Sequence, residues 1–139
     1  MNCNCVEYSG FEVWQGGELQ LEWEGREFEE GQPFDLTGAT ATCVLKNRMQ
    51  DPEEAAVITL TTENGGVLNT KPSSGKLLAV FTGDATADLP AFTCGHPWRE
   101  YWSQFAVRLA TNQLVRSALY KVTLWAGTAA KPADVPPIP

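Results

Sequence analysis

Hydrophobic and polar positions along this chain alternate with a period of two over most of its length. Glu18-Leu19-Gln20-Leu21-Glu22-Trp23-Glu24 does so without a fault. Leu19, Leu21 and Trp23 fall on one face, carboxylates or Gln on the other, which is the pattern of a strand with one buried and one wet side. A second alternating run covers 39–46 and turns Ala39, Ala41, Cys43 and Leu45 inward; a third, over 56–61, is rich in β-branched residues. Glu63-Asn64-Gly65-Gly66 and Pro72-Ser73-Ser74-Gly75 read as turns, because Asn and Gly tolerate the positive φ that tight turns demand. Between them 67–69 is a short strand, and 76–82 follows as a longer one. The stretch 83–90 breaks the rhythm: Asp84 is placed to cap one helical turn that Pro90 ends. Two long strands finish the pattern. The first, 101–109, puts Tyr101, Ser103, Phe105, Val107 and Leu109 on one side; the second is 114–125, with Thr111-Asn112 as the hairpin connection.

Seven or so strands at short spacing, with turn signals between them and no long helix, predict an all-β fold, an antiparallel β-sandwich. The Cys-Trp-Cys spacing of antibody domains is not evident, so Ig-like describes the architecture only. The predicted folded unit is 16–125. Residues 1–15 form an N-terminal arm, and 126–139, with four of the nine prolines and no periodicity, an extended C-terminal arm.

The 139 residues fit one domain, and a 10% aromatic and 19% charged composition is that of a folding chain. A formal charge of −7 argues against a nucleic-acid partner, which asks for a basic stripe, and against an anionic membrane surface. The charge is local: 1–35 hold nine acids against Arg26 alone, while the remainder is near neutral. No apolar run approaches the roughly 20 residues needed to span a bilayer. The start, MNCNCVEYSG, lacks the basic and apolar stretches of a signal peptide, so no Sec export is implied and synthesis inside a cell is expected.

Candidate chemistry is thin. Cys3 and Cys5 form a C-x-C pair that with Cys43 and Cys94 makes a conceivable zinc site, but zinc pairs are usually C-x2-4-C. Ordinary thiols are the favoured reading over metal or a disulfide. Cys94 and His96 suggest a nucleophile and base, yet residues two apart rarely meet in that geometry. The acids before residue 36 lack EF-hand spacing, so a solvated strand face is preferred to calcium, with docking to a basic partner second. No nucleophile elbow, phosphate loop, zinc-protease or dinucleotide motif occurs, so no enzyme, no cofactor and no metal is expected. The aromatic loop His96-Pro97-Trp98-Arg99-Glu100-Tyr101-Trp102 is the main candidate. Trp98, Arg99, Tyr101 and Trp102 read first as packing or a protein interface, where aromatics and Arg are enriched. Their second reading is a platform that stacks on sugar rings.

From residue 30 the chain resembles a particular family. Pro33-Phe34-Asp35-Leu36-Thr37-Gly38-Ala39-Thr40 is similar to the P-x-D-L-T-G-A-T strand entry of small β-sandwich domains in tailed-phage virion proteins, of the upper-baseplate and tail-fibre-adaptor kind. Thr82-Gly83-Asp84-Ala85-Thr86-Ala87-Asp88-Leu89-Pro90 is similar to that family's T-x-x-D-T-A-x-L-P, and the closing strands fit its final hairpin. Asp35 and Gly38 are read as structural turn residues: Asp accepts backbone N–H groups and Gly permits unusual φ. The resemblance implies a non-enzymatic structural protein of a virion, made in the host cytoplasm. It would contact other virion proteins, and further copies of itself, through strand edges, the aromatic loop and its arms. The alternative function is a carbohydrate-binding module for host-surface glycan.

Overall fold

A computed structural model describes residues 9–25, 35–117 and 119–127. Nine strands are present among them: β1 (Ser9–Trp14), β2 (Leu19–Glu24), β3 (Thr40–Lys46), β4 (Ile58–Thr61), β5 (Val67–Leu68), β6 (Lys76–Phe81), β7 (Trp98–Arg108), β8 (Leu114–Arg116) and β9 (Tyr120–Trp125). The one α-helical turn, α1, is Gly83–Ala87. The larger sheet runs β1-β9-β7-β3-β4, with β8 beside the far end of β7; the smaller runs β2-β6-β5. All pairs are antiparallel except β1 with β9. The fold is an Ig-like β-sandwich.

The alternation of β2 is reproduced side chain by side chain: Leu19, Leu21 and Trp23 are buried while Gln20, Glu22 and Glu24 are exposed. From the facing sheet, Tyr101, Ser103, Phe105 and Val107 of β7 are completely buried. Trp23 stacks on Phe105 at 6.4 Å between ring centroids, which joins the two layers.

Three expectations are corrected. The N-terminal arm expected over 1–15 does not extend through residue 15, because Ser9–Trp14 is an edge strand of the larger sheet. Phe11 and Val13 pack on the core, and the strand's partner lies at the other end of the chain, out of reach of a local pattern. Residues 1–8 and 128–139, the rest of both expected arms, lie outside the described residues. The closing strand, expected unbroken over 114–125, is divided. Ala106 lies opposite Arg116 but Ser103 opposite Tyr120, so three steps on β7 face four on the other side. That extra residue is a bulge. Ser117 fixes it, its Oγ accepting the N–H of Phe105 at 2.9 Å. Finally, the cap of α1 is Thr82, whose hydroxyl oxygen accepts from the N–H of Ala85; Asp84 sits within the first turn instead.

The two family-like segments build the ends of the sandwich. Asp35 Oδ1 accepts the N–H of Thr37 at 3.0 Å, and these contacts with Thr37 hold its carboxyl below the usual aspartate value. Leu36 is fully buried, and Gly38 takes φ +75° immediately before β3. In the second segment, Thr86 is buried under the crossing from β1 to β2. Its hydroxyl donates to Gly17 O at 2.7 Å and accepts from Gly16 N at 3.1 Å. A Cβ on Gly83 would stand 2.5 Å from Gly16 O, so only glycine allows α1 to approach this crossing. Pro90 O accepts the hydroxyl of Tyr101 at 2.6 Å. This bond ties the central strand β7 back to the segment that follows α1.

Candidate functional site

The period of two divides the aromatic group that the sequence placed in one loop. Trp98–Trp102 lies in β7 itself, so neighbours along it face opposite sides of the sheet. Tyr101 points into the core, and burial pushes its hydroxyl pKa up, keeping it a donor to Pro90. Arg99 shares that side: its Cζ lies 5.5 Å from the Tyr101 ring centroid and its Nη2 donates to Asn47 Oδ1 at 2.9 Å. Trp98 and Trp102 are half-buried and belong to the outer face. Arg99 and Tyr101 are thus structural members of the sandwich end, and only the two tryptophans remain surface candidates.

Trp98 gains company that sequence distance conceals. In register it lies opposite Trp125 of β9, which lies opposite Trp14 of β1. The three indoles form a row across three adjacent strands on the outer face of the larger sheet. Ring centroids are 6.1 Å apart for Trp14 and Trp125, which are stacked, and 6.3 Å for Trp98 and Trp125, which are tilted. His96 extends the row by stacking on Trp98 at 4.9 Å. Trp125 Nε1 donates to Glu12 at 3.0 Å. Farther along the same face Glu100 pairs with Lys121 at 3.2 Å, and Trp102 lies in register between Lys46 and Lys121. The sequence carried one signal for this row. Trp125 follows Val122 and Leu124, the inward positions of its strand, so alternation puts an indole on the face expected to be polar.

The thiol candidates come apart. Cys94 and Gly95, at φ 48° and 84°, form the tip of a two-residue turn closed by Thr93 N to His96 O and His96 N to Thr93 O. Cys94 is exposed at that tip, while the ring of His96 lies on Trp98. Cys43 is fully buried with Sγ 3.3 Å from Ser103 Oγ, and burial pushes its pKa from 9.0 up to about 12. One sealed and one exposed cysteine do not share a metal; Cys3 and Cys5 lie outside the described residues. Among the described residues no group of three or more His, Cys, Asp or Glu side chains is placed to hold a metal ion.

Open concavities lie among the described residues. An open groove of about 500 Å³ lies over β6 beside the 63–66 turn and is lined by Leu60, Leu68, Val80 and Ala85 with uncharged polar neighbours. A second, of about 440 Å³, holds Lys46, Asp51, Glu53, Glu54 and Arg116, where Arg116 and Glu53 form an ion pair. Neither contains a nucleophile beside a base.

No protein-family model matches the sequence, and no curated protein matches it. Among solved structures the chain is similar to the periplasmic chaperone SfaE, with 11% identity and a TM-score of 0.46. The match covers 91% of this chain and 59% of the chaperone's length.

Proposed function

We propose that the chain is a non-enzymatic structural protein that works by protein–protein contact, as a component of a tailed-phage particle. The observation that supports contact as its mode of action is the Trp14–Trp125–Trp98 row. Half-buried indoles on the outer face of a sheet carry a large apolar area with a polar N–H handle, the composition enriched where proteins meet. The virion setting is supported by the resemblance of 33–40 and 82–90 to the sandwich domains of such particles. Asp35, Leu36, Gly38, Thr82, Thr86 and Pro90 all serve the scaffold, as a family defined by its fold would require. Cross-linking of intact particles followed by mass spectrometry tests the contact mode. Links from Lys121, which lies on the aromatic face and is partly exposed, to other virion proteins are expected; links confined to this chain count against it.

The same row favours a second reading, binding of a glycan. Flat rings at strand spacing offer successive apolar platforms to pyranose faces. This platform is Trp14, Trp125 and Trp98, not the Trp98, Tyr101 and Trp102 set expected from the sequence, since Tyr101 is buried. Binding on a glycan array that disappears in Trp98→Ala and Trp14→Ala would favour it over assembly. No binding, or binding indifferent to both, would remove it.

A further inference from the structure

The sheet edges differ in how far local groups close them. On β4 two of the outward backbone groups are occupied by a side chain. The Asn64 side chain donates to Thr59 O at 3.3 Å and accepts from Thr61 N at 2.9 Å, imitating a neighbouring strand. On β1, Trp14 O accepts Gly17 N–H at 2.8 Å where the chain turns away. β5 is two residues long.

Among the described residues β2 has no such closure. It pairs with β6 on one side, and no other strand joins it among the described residues. Gly25 N donates to Gly75 O at 2.8 Å, which fixes the parity of the ladder: 19, 21 and 23 exchange bonds with β6. Gln20 and Glu22 therefore turn both N–H and C=O toward the open edge. Their side chains, with Glu18 and Glu24, cover the wet face beside it with carboxylate and amide groups.

Resting on the reading of the chain as an assembly protein, we propose that the β2 edge receives an extended segment of another chain whose alternate residues are Lys or Arg. The backbone groups of Gln20 and Glu22 supply the ladder bonds of an added strand. The carboxylates choose the partner. Two copies of β2 side by side would set Glu against Glu or Gln, which like-charge repulsion opposes, so the edge resists self-pairing and attracts a basic strand. The intervening residues of that strand face the side of Leu19, Leu21 and Trp23 and are apolar. Attraction between exposed charges is screened by salt, so binding weakens as ionic strength rises.

Amide hydrogen exchange on the full chain tests this, with a short peptide alternating lysine with valine and threonine as probe and its glutamate counterpart as control. In the free protein the Gln20 and Glu22 amides exchange fast while Leu21 is protected. The lysine peptide slows Gln20 and Glu22 by about tenfold or more; the glutamate peptide does not. Glu22→Lys abolishes the effect. Gln20→Pro, which removes only an outward N–H, weakens it while leaving the β2–β6 ladder protected. Gln20 and Glu22 already protected in the free protein, no added protection with the lysine peptide, or equal effects of both peptides would overturn the proposal. Such a failure leaves the assembly reading standing, because that is decided by whether particles contain the chain.

Discussion

Tyr101 shows how one side chain is taken from the surface by its strand position. Its ring is in the core and its hydroxyl reaches Pro90 O, so Tyr101→Phe leaves a carbonyl without its donor. A loss of about 1 kcal/mol is expected from a denaturant midpoint, with the fold retained. Cys43 gives a test of burial by chemistry. In the native protein an alkylating reagent should modify exposed Cys94 readily and reach Cys43 only on unfolding. Its raised pKa also fixes a pH dependence. The folded state holds the thiol proton up to about pH 12 while the unfolded chain releases it near 9.0. Its contribution to stability is therefore complete below pH 9 and falls as pH rises toward 12. Melting curves of Cys43→Ala should be lower throughout but flatter over that interval; an identical alkaline slope would contradict the assignment.

At the scale of elements, strands with one wet and one buried face were legible, because a period of two survives without knowledge of the partner. β2 and the core half of β7 are of this kind. The same period separates Tyr101 from Trp102, so alternation alone puts them on opposite faces of β7. β1, the bulge at Ser117 and the tryptophan row are different, since each is defined by pairing across distant parts of the chain. No local pattern brings Trp14 beside Trp125. The β4 edge makes its own prediction. Asn64→Ala opens Thr59 O and Thr61 N together, so it should lower stability by about 1–2 kcal/mol and raise concentration-dependent association in light scattering. Unchanged stability and a monomeric profile would show that Asn64 closes nothing.

For the whole molecule, Glu18, Glu22 and Glu24 lie beside the β2 edge of the smaller sheet, while the indole row crosses β1, β9 and β7 of the larger one with Glu12 bonded into it. Net charge alone had suggested only which partners to exclude. On the proposed reading, the β2 edge takes a basic strand and the indole row takes apolar contact. Both surfaces suit a chain held among neighbours. The most direct measurement is mass spectrometry of purified particles from a phage that encodes this chain, compared with the infected-cell lysate. The account predicts the chain in the particles at a stoichiometry matching a structural component. Its presence in the lysate and absence from the particles would contradict it.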